Sequence, residues 1–257
     1  MVSLLELSKV TKYFGGLCAV DNLDLKLEKG ELLGLIGPNG AGKTTVFNMI
    51  SGVLSVSSGD IIFKGQGVTN HRPHQVNRMG IGRTFQLKTS FDDLTVLQNI
   101  MIGGFTKKGL GIGFVDAFLP KTKKTIELEQ NAMELIKLVG LADYKDVLAK
   151  NLPHGLRQAM GIAMVLATDP EVLLLDEPVS GMNRKEIIWI MELINSLRQD
   201  KKRSILLIEH NMEVVMDYCD RMVVINFGSK IAEGLPSEIR QNKEVIAAYL
   251  GEKSHVT

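Results

Sequence analysis

Gly37-Pro38-Asn39-Gly40-Ala41-Gly42-Lys43-Thr44 is the most informative stretch of the chain. It fits the phosphate-binding pattern of a glycine, four free positions, then Gly-Lys-Ser/Thr. Upstream, Leu32-Leu33-Gly34-Leu35-Ile36 is a short apolar run that reads as a buried strand. Downstream, Thr44 to Ile50 reads as a helix. Strand, glycine-rich loop and helix are the context this pattern needs. Glycines let backbone N–H groups converge on phosphate oxygens, and the helix N-terminus adds the positive end of its dipole. In that arrangement Lys43 reaches the β- and γ-phosphates and the Thr44 hydroxyl holds Mg²⁺.

A phosphate loop of this kind needs an acidic partner for the metal. Leu173-Leu174-Leu175-Asp176-Glu177-Pro178 supplies one. Asp176 stands at the C-terminal end of an apolar strand, where α/β sheets bind ligands. It would anchor Mg²⁺, usually through water. Glu177 could polarise an attacking water as general base.

Around these motifs the pattern is α/β. Val172–Leu175, Ser204–Ile208 and Met222–Ile225 read as strands, with helices over Arg184–Leu197 and Asn211–Met216. Strands alternating with helices imply a parallel sheet. Ile61–Phe63 and Ile81–Phe85 read as further strands near the start. Residues 90–165 form a helical block: Thr125–Val139 places Leu128, Ala132, Leu135, Ile136 and Val139 on one face, and Ala159–Ala167 looks mostly buried. Between Gly103 and Gly113, five of eleven residues are glycine, which reads as a flexible loop or insertion.

Composition narrows the class. The chain has 257 residues, 45% of them hydrophobic and 23% charged, enough for one large domain. Lys plus Arg is 30 and Asp plus Glu is 29, so a net charge of +1 excludes a strongly basic nucleic-acid coat. Cys18 and Cys219 are too few and too far apart for a disulfide framework or a zinc cluster. No apolar run approaches the ~20 residues of a membrane span, and Glu6 and Lys9 interrupt the first stretch, unlike a signal peptide. The expectation is a soluble or peripheral protein on the cytoplasmic side.

With both motifs placed, the chain resembles the ATP-binding subunits of ABC transporters, and most of all the longer of the two ATPases in branched-chain amino-acid uptake systems. The residues that carry this include Lys12-Tyr13-Phe14-Gly15-Gly16-Leu17, the loop continuing into Thr45-Val46-Phe47-Asn48, and Gly80-Ile81-Gly82-Arg83-Thr84-Phe85-Gln86. They continue with Leu94–Asn99, Asp176-Glu177-Pro178 with Gly181-Met182-Asn183, Leu207-Ile208-Glu209-His210, and the closing Ala248-Tyr249-Leu250-Gly251.

The resemblance implies an α/β P-loop ABC ATPase core, a RecA-like parallel sheet plus an antiparallel β subdomain, with an inserted helical subdomain. The core would span 1–89 and 166–257 and the insertion 90–165, within one domain of 1–257. It implies that Phe14 stacks on adenine, with Tyr13 as fallback, and that Gly37 through Thr45 hold ATP. Gln86 would reach Mg²⁺ and the water, His210 would sense the γ-phosphate, and Asn183 would couple two sites of a dimer as the D-loop residue. ATP and Mg²⁺ are the implied ligands. The implied partners are a second ATPase subunit, or a second copy, in a head-to-tail dimer, two integral-membrane permease subunits, and indirectly an extracytoplasmic solute-binding protein. No nucleic acid is implied. A DNA-repair ABC ATPase is disfavoured by the lack of heptad runs, Cys pairs and basic excess.

The signature segment departs from the family pattern. Where Leu-Ser-Gly-Gly-Gln is usual, this chain has Leu152-Pro153-His154-Gly155-Leu156. Pro153 brings neither hydroxyl nor N–H, although proline suits the first turn of a helix. His154 or Arg157 stands by as a replacement donor. The departure affects the ATP that the signature would complete on the partner, and leaves open a degenerate, regulatory composite site. Importers of other solutes such as urea or amides remain alternatives.

Overall fold

The computed structural model describes residues 3–84, 91–107, 123–198 and 203–252. Among them the strands are β1 (Leu5–Phe14), β2 (Leu17–Leu27), β3 (Leu32–Ile36), β4 (Ser58–Phe63), β5 (Gln66–Gly67), β6 (Ile81–Arg83), β7 (Val172–Asp176), β8 (Ser204–Ile208), β9 (Arg221–Asn226) and β10 (Ser229–Gly234). The helices are α1 (Lys43–Ile50), α2 (Pro73–Met79), α3 (Val96–Lys107), α4 (Lys123–Leu138), α5 (His154–Leu166), α6 (Arg184–Leu197), α7 (Met212–Tyr218), α8 (Pro236–Gln241) and α9 (Lys243–Glu252).

Two sheets organise these elements. One is antiparallel, in the order β2-β1-β4-β5. The other runs β10-β9-β3-β8-β7-β6, with β9, β3, β8, β7 and β6 parallel and β10 antiparallel at the edge. The parallel strands are buried on both faces, which is why they read as unbroken apolar runs rather than alternating ones. Side chains still alternate. Leu32, Ile36, Leu173, Leu175, Ile205 and Leu207 face the core shared with α3 to α7. Leu33, Leu35, Val172, Leu174, Leu206 and Ile208 face the core shared with the antiparallel sheet and α1. Helix α1 buries Val46, Phe47, Met49 and Ile50 in that second core, so the loop that precedes it is held between two layers.

The expected fold class is the one observed. The glycine-rich stretch is corrected in part. Gly103 and Gly104 lie inside α3, not in a loop. The reason is close packing: a Cβ on Gly103 would lie 2.2 Å from the Met164 carbonyl oxygen of α5. Residues 108–113 lie outside the described residues. Helix α5 begins at His154, five residues before the expected Ala159.

Candidate functional site

The C-terminal ends of β3, β7 and β8 converge, as expected for a ligand site at the edge of a parallel sheet. Beyond β3 the chain turns sharply. Gly37 has φ +154, and a Cβ there would lie 2.1 Å from the Ile225 carbonyl oxygen of β9. Gly42 has φ +103, and its Cβ would lie 2.5 Å from the Ala19 carbonyl oxygen of β2. Only glycine meets both the left-handed backbone and the close approach. The loop is therefore clamped between a strand of each sheet.

Lys43 is buried, and its Nζ donates to the carbonyls of Gly37 (2.7 Å) and Pro38 (2.8 Å). The ammonium is held over the loop it belongs to. Thr44, next in α1, is exposed. A pocket of about 430 Å³ opens here, lined among others by Asn39, Lys43, Thr44, Thr45 and Glu177. Leu17, Cys18 and Phe227 complete its walls. Phe14 and Tyr13 are exposed on the nearby hairpin but are not among the lining residues. The Lys12 ammonium sits 5.2 Å from the centre of the Phe14 ring.

Asp176 closes β7, and its Oδ2 lies 3.1 Å from Nη2 of Arg83 on β6. Burial pushes the Asp176 carboxyl up, while the charge and hydrogen bond of Arg83 pull it down. Nη1 of the same guanidinium donates to Asn48 Oδ1 (2.6 Å) and Ser51 Oγ (3.1 Å), and the group lies 5.7 Å from the Phe47 ring centre. Arg83 thus ties the end of β7 to α1.

Glu177 leaves the strand in a left-handed conformation, φ 49. Its N–H donates to the Ile208 carbonyl at 2.9 Å. Its Oε1 lies 3.6 Å from Nδ1 of His210. Glu209, between β8 and His210, is fully buried. One of its oxygens accepts the Val179 N–H at 3.2 Å and the other accepts the His210 N–H at 3.2 Å. The turns that carry Glu177 and His210 are joined through this carboxylate.

Leu152, Pro153, His154 and Gly155 lie outside the pocket. Pro153 is the N-cap of α5, with ψ 155, and makes no side-chain cap bond. Gly155 packs on α6, where its Cβ would lie 3.3 Å from Glu186 Oε1. Asn183 caps α6, its side chain accepting from the N–H groups of Lys185 and Glu186. Residues 152–155 and 181–186 are therefore neighbours, outside the pocket at the chain's own phosphate loop. Gln86 lies outside the described residues. Sequence reasoning assigned no role to Arg83, Glu209 or Phe227. A charged residue entering or leaving an apolar strand marks the first two, and an aromatic in a Phe-Gly turn between strands marks the third.

The family model for ABC transporters matches residues 20–180, and the model for branched-chain amino acid ATP-binding cassette transporters matches residues 229–255. The chain is 40% identical over 251 residues to the high-affinity branched-chain amino acid transport ATP-binding protein LivG of Escherichia coli K12, covering 97% of this chain and 98% of that one. It is 39% identical to the corresponding protein BraF of Pseudomonas aeruginosa, covering 97% and 98%. The solved ADP form of MJ1267, an ATP-binding cassette of an ABC transporter, superposes with a TM-score of 0.86 at 29% identity, covering 98% of this chain and 100% of that one.

Proposed function

Because this chain belongs to the ATP-binding cassettes of ABC transporters, we propose that it is the ATP-hydrolysing motor subunit of an importer for branched-chain amino acids. The observation that carries the motor reading is the 430 Å³ pocket that combines Lys43, Thr44 and Glu177. The substrate rests on the likeness to LivG and BraF and on the match over residues 229–255.

In this reading the N–H groups from Asn39 to Thr45 and the Lys43 ammonium bind the triphosphate. Lys43 exchanges its two carbonyl partners for phosphate oxygens. Glu177 holds the attacking water and takes its proton. His210, whose Nδ1 lies 3.6 Å from Glu177 Oε1, contacts the γ-phosphate. Phe14 offers its exposed ring to adenine.

The donor set fits Mg²⁺. The Thr44 hydroxyl and the Asp176 carboxylate would supply hard oxygen donors, Asp176 through the oxygen that does not face Arg83. A cation that takes its remaining ligands from phosphate and water suits that pair. When bound, Mg²⁺ neutralises charge on the phosphates. Gln86 is the further ligand assigned by the resemblance.

We assign residues 90–165 to an inserted helical subdomain and the remainder to the catalytic core. The chain would pair head to tail with a second ATPase, its signature segment completing the partner's site. Among the described residues no helix is long and apolar enough to cross a membrane. We assign the path for solute to two permease subunits. A cleft of about 390 Å³ between α2, α3 and α5, lined by His74, Arg78, Ile102 and Met164, flanks the segment that leads to Gln86 and suits their docking on the cytoplasmic face. An extracytoplasmic binding protein would select the solute.

Uptake of labelled leucine, glutamate and urea tests this, comparing wild type with Lys43→Ala at the native locus. Selective loss of leucine uptake is expected. Unchanged leucine uptake would discard the substrate assignment.

A further inference from the structure

Strands β9 and β10 are joined by a tight turn at Phe227-Gly228. Both residues have positive φ, 45° and 83°. That pattern belongs to the hairpin turn that Asn-Gly or Gly-Gly fills without strain. A bulky aromatic is disfavoured there. The residue is also 86% exposed, although nothing in a hairpin turn requires an apolar side chain in water. Two unfavourable features coincide at one residue, and such coincidences gather at ligand clamps.

The turn is fixed to the phosphate loop. Gly228 N–H donates to the Ala41 carbonyl at 3.0 Å, and Asp21 N–H donates to the Gly228 carbonyl at 2.9 Å. A Cβ on Gly228 would lie 2.8 Å from the Ala19 carbonyl oxygen, so the tip has little room to shift. Phe227 lines the same pocket as Asn39–Thr45 and Glu177, together with Leu17 and Cys18.

We propose that Phe227 is a nucleotide-binding residue, an aromatic wall of the pocket that packs on the nucleoside of the triphosphate held by the loop. The contact is apolar and uses the π-face every base has, so it does not choose between purines. It adds to the Phe14 stack and does not replace it. The inference rests on the phosphate loop binding a nucleoside triphosphate.

Titration calorimetry of the full chain with ATP, GTP and inorganic tripolyphosphate tests it, comparing wild type with Phe227→Asn and Phe227→Trp. Asparagine tolerates the left-handed backbone, so Phe227→Asn is expected to melt no lower than wild type. It should lose about tenfold in affinity for ATP and GTP alike, on the scale of one base–aromatic stack. Tripolyphosphate binding should be unchanged, and Phe227→Trp should bind ATP like wild type. Wild-type ATP affinity in Phe227→Asn would overturn the proposal. So would equal loss of ATP and tripolyphosphate, which would mean that the hairpin acts by shaping the loop. If wild type binds none of the three ligands, the phosphate-loop reading itself fails and takes the proposal with it.

Discussion

Nη2 of Arg83 lies 3.1 Å from Oδ2 of Asp176, with side-chain exposures of 10% and 6%. A buried pair that loses one partner leaves an uncompensated charge, which costs about 3–5 kcal/mol. Arg83→Met should therefore lower the urea midpoint of the chain by a large margin. Arg83→Lys keeps the charge but cannot serve Asp176, Asn48 and Ser51 at once, so it should fall between the two. An Arg83→Met midpoint equal to wild type would show that the pair does not hold β7 to α1.

Glu209 gives a pH signature. Its carboxyl is pushed up by burial, against the pull of the Val179 and Asn211 N–H groups, His210 and the His210 N–H. A carboxyl with a raised folded pKa contributes stability that is full below its unfolded value, about 4.3, and is lost as pH rises through the folded value. Glu209→Gln cannot titrate. Stability of wild type relative to Glu209→Gln should thus grow on acidification from neutral pH towards about 4.3. Urea midpoints of both proteins across that range check the sign. A difference that is flat or shrinks on acidification would show that the Glu209 carboxyl is not raised in the folded protein.

Two glycines in packed helices should respond oppositely to alanine. In Gly103→Ala the new methyl meets the Met164 backbone, and overpacking of this kind costs about 1–3 kcal/mol. A Cβ on Gly161 meets nothing within 4 Å, so Gly161→Ala in α5 should gain roughly 0.5–1 kcal/mol. Thermal melts of the two variants would show the contrast. Equal shifts would contradict the close approach of α3 to α5.

The glycine at 103 also shows where sequence reading stops. A local cluster of glycine signals flexibility unless the neighbour that needs the space is known, and Met164 is 61 residues away, the difference of the two numbers. The parallel strands were legible because burial on both faces demands unbroken apolar runs, as in Leu32–Ile36 and Ser204–Ile208. The phosphate loop was legible because its chemistry needs glycine at fixed spacing. The ends of β1 and β2 were not legible: apolar and polar residues alternate over Leu5–Ser8 and Leu23–Leu27, but the strands run on through register shifts such as that between Leu7 and Val10. Arg83 and Glu209 act through partners distant in sequence, Asp176 and Val179, and spacing does not reveal such pairs.

In the proposed head-to-tail pairing, Pro153 bears on the partner's site. As N-cap of α5 it leaves that helix intact, so the loss is confined to the donors a serine would bring. If the partner's composite site is the weakened one of an unequal pair, the heterodimer with Pro153→Ser should keep turnover close to wild type. A gain approaching the ~10²-fold worth of a lost oxyanion-type donor would show that the site limits the cycle instead. Steady-state ATP turnover of the purified heterodimer decides between them.

In the proposed mechanism this chain hydrolyses ATP through Glu177, placed beside His210 and the phosphate loop. The direct measurement is phosphate release by the assembled complex carrying Glu177→Gln in this chain alone, with ATP binding measured on the same sample. ATP binding should be retained, and turnover at this site should fall by about 10²–10⁴-fold, the range for loss of a general base. Retained binding with wild-type turnover would contradict it.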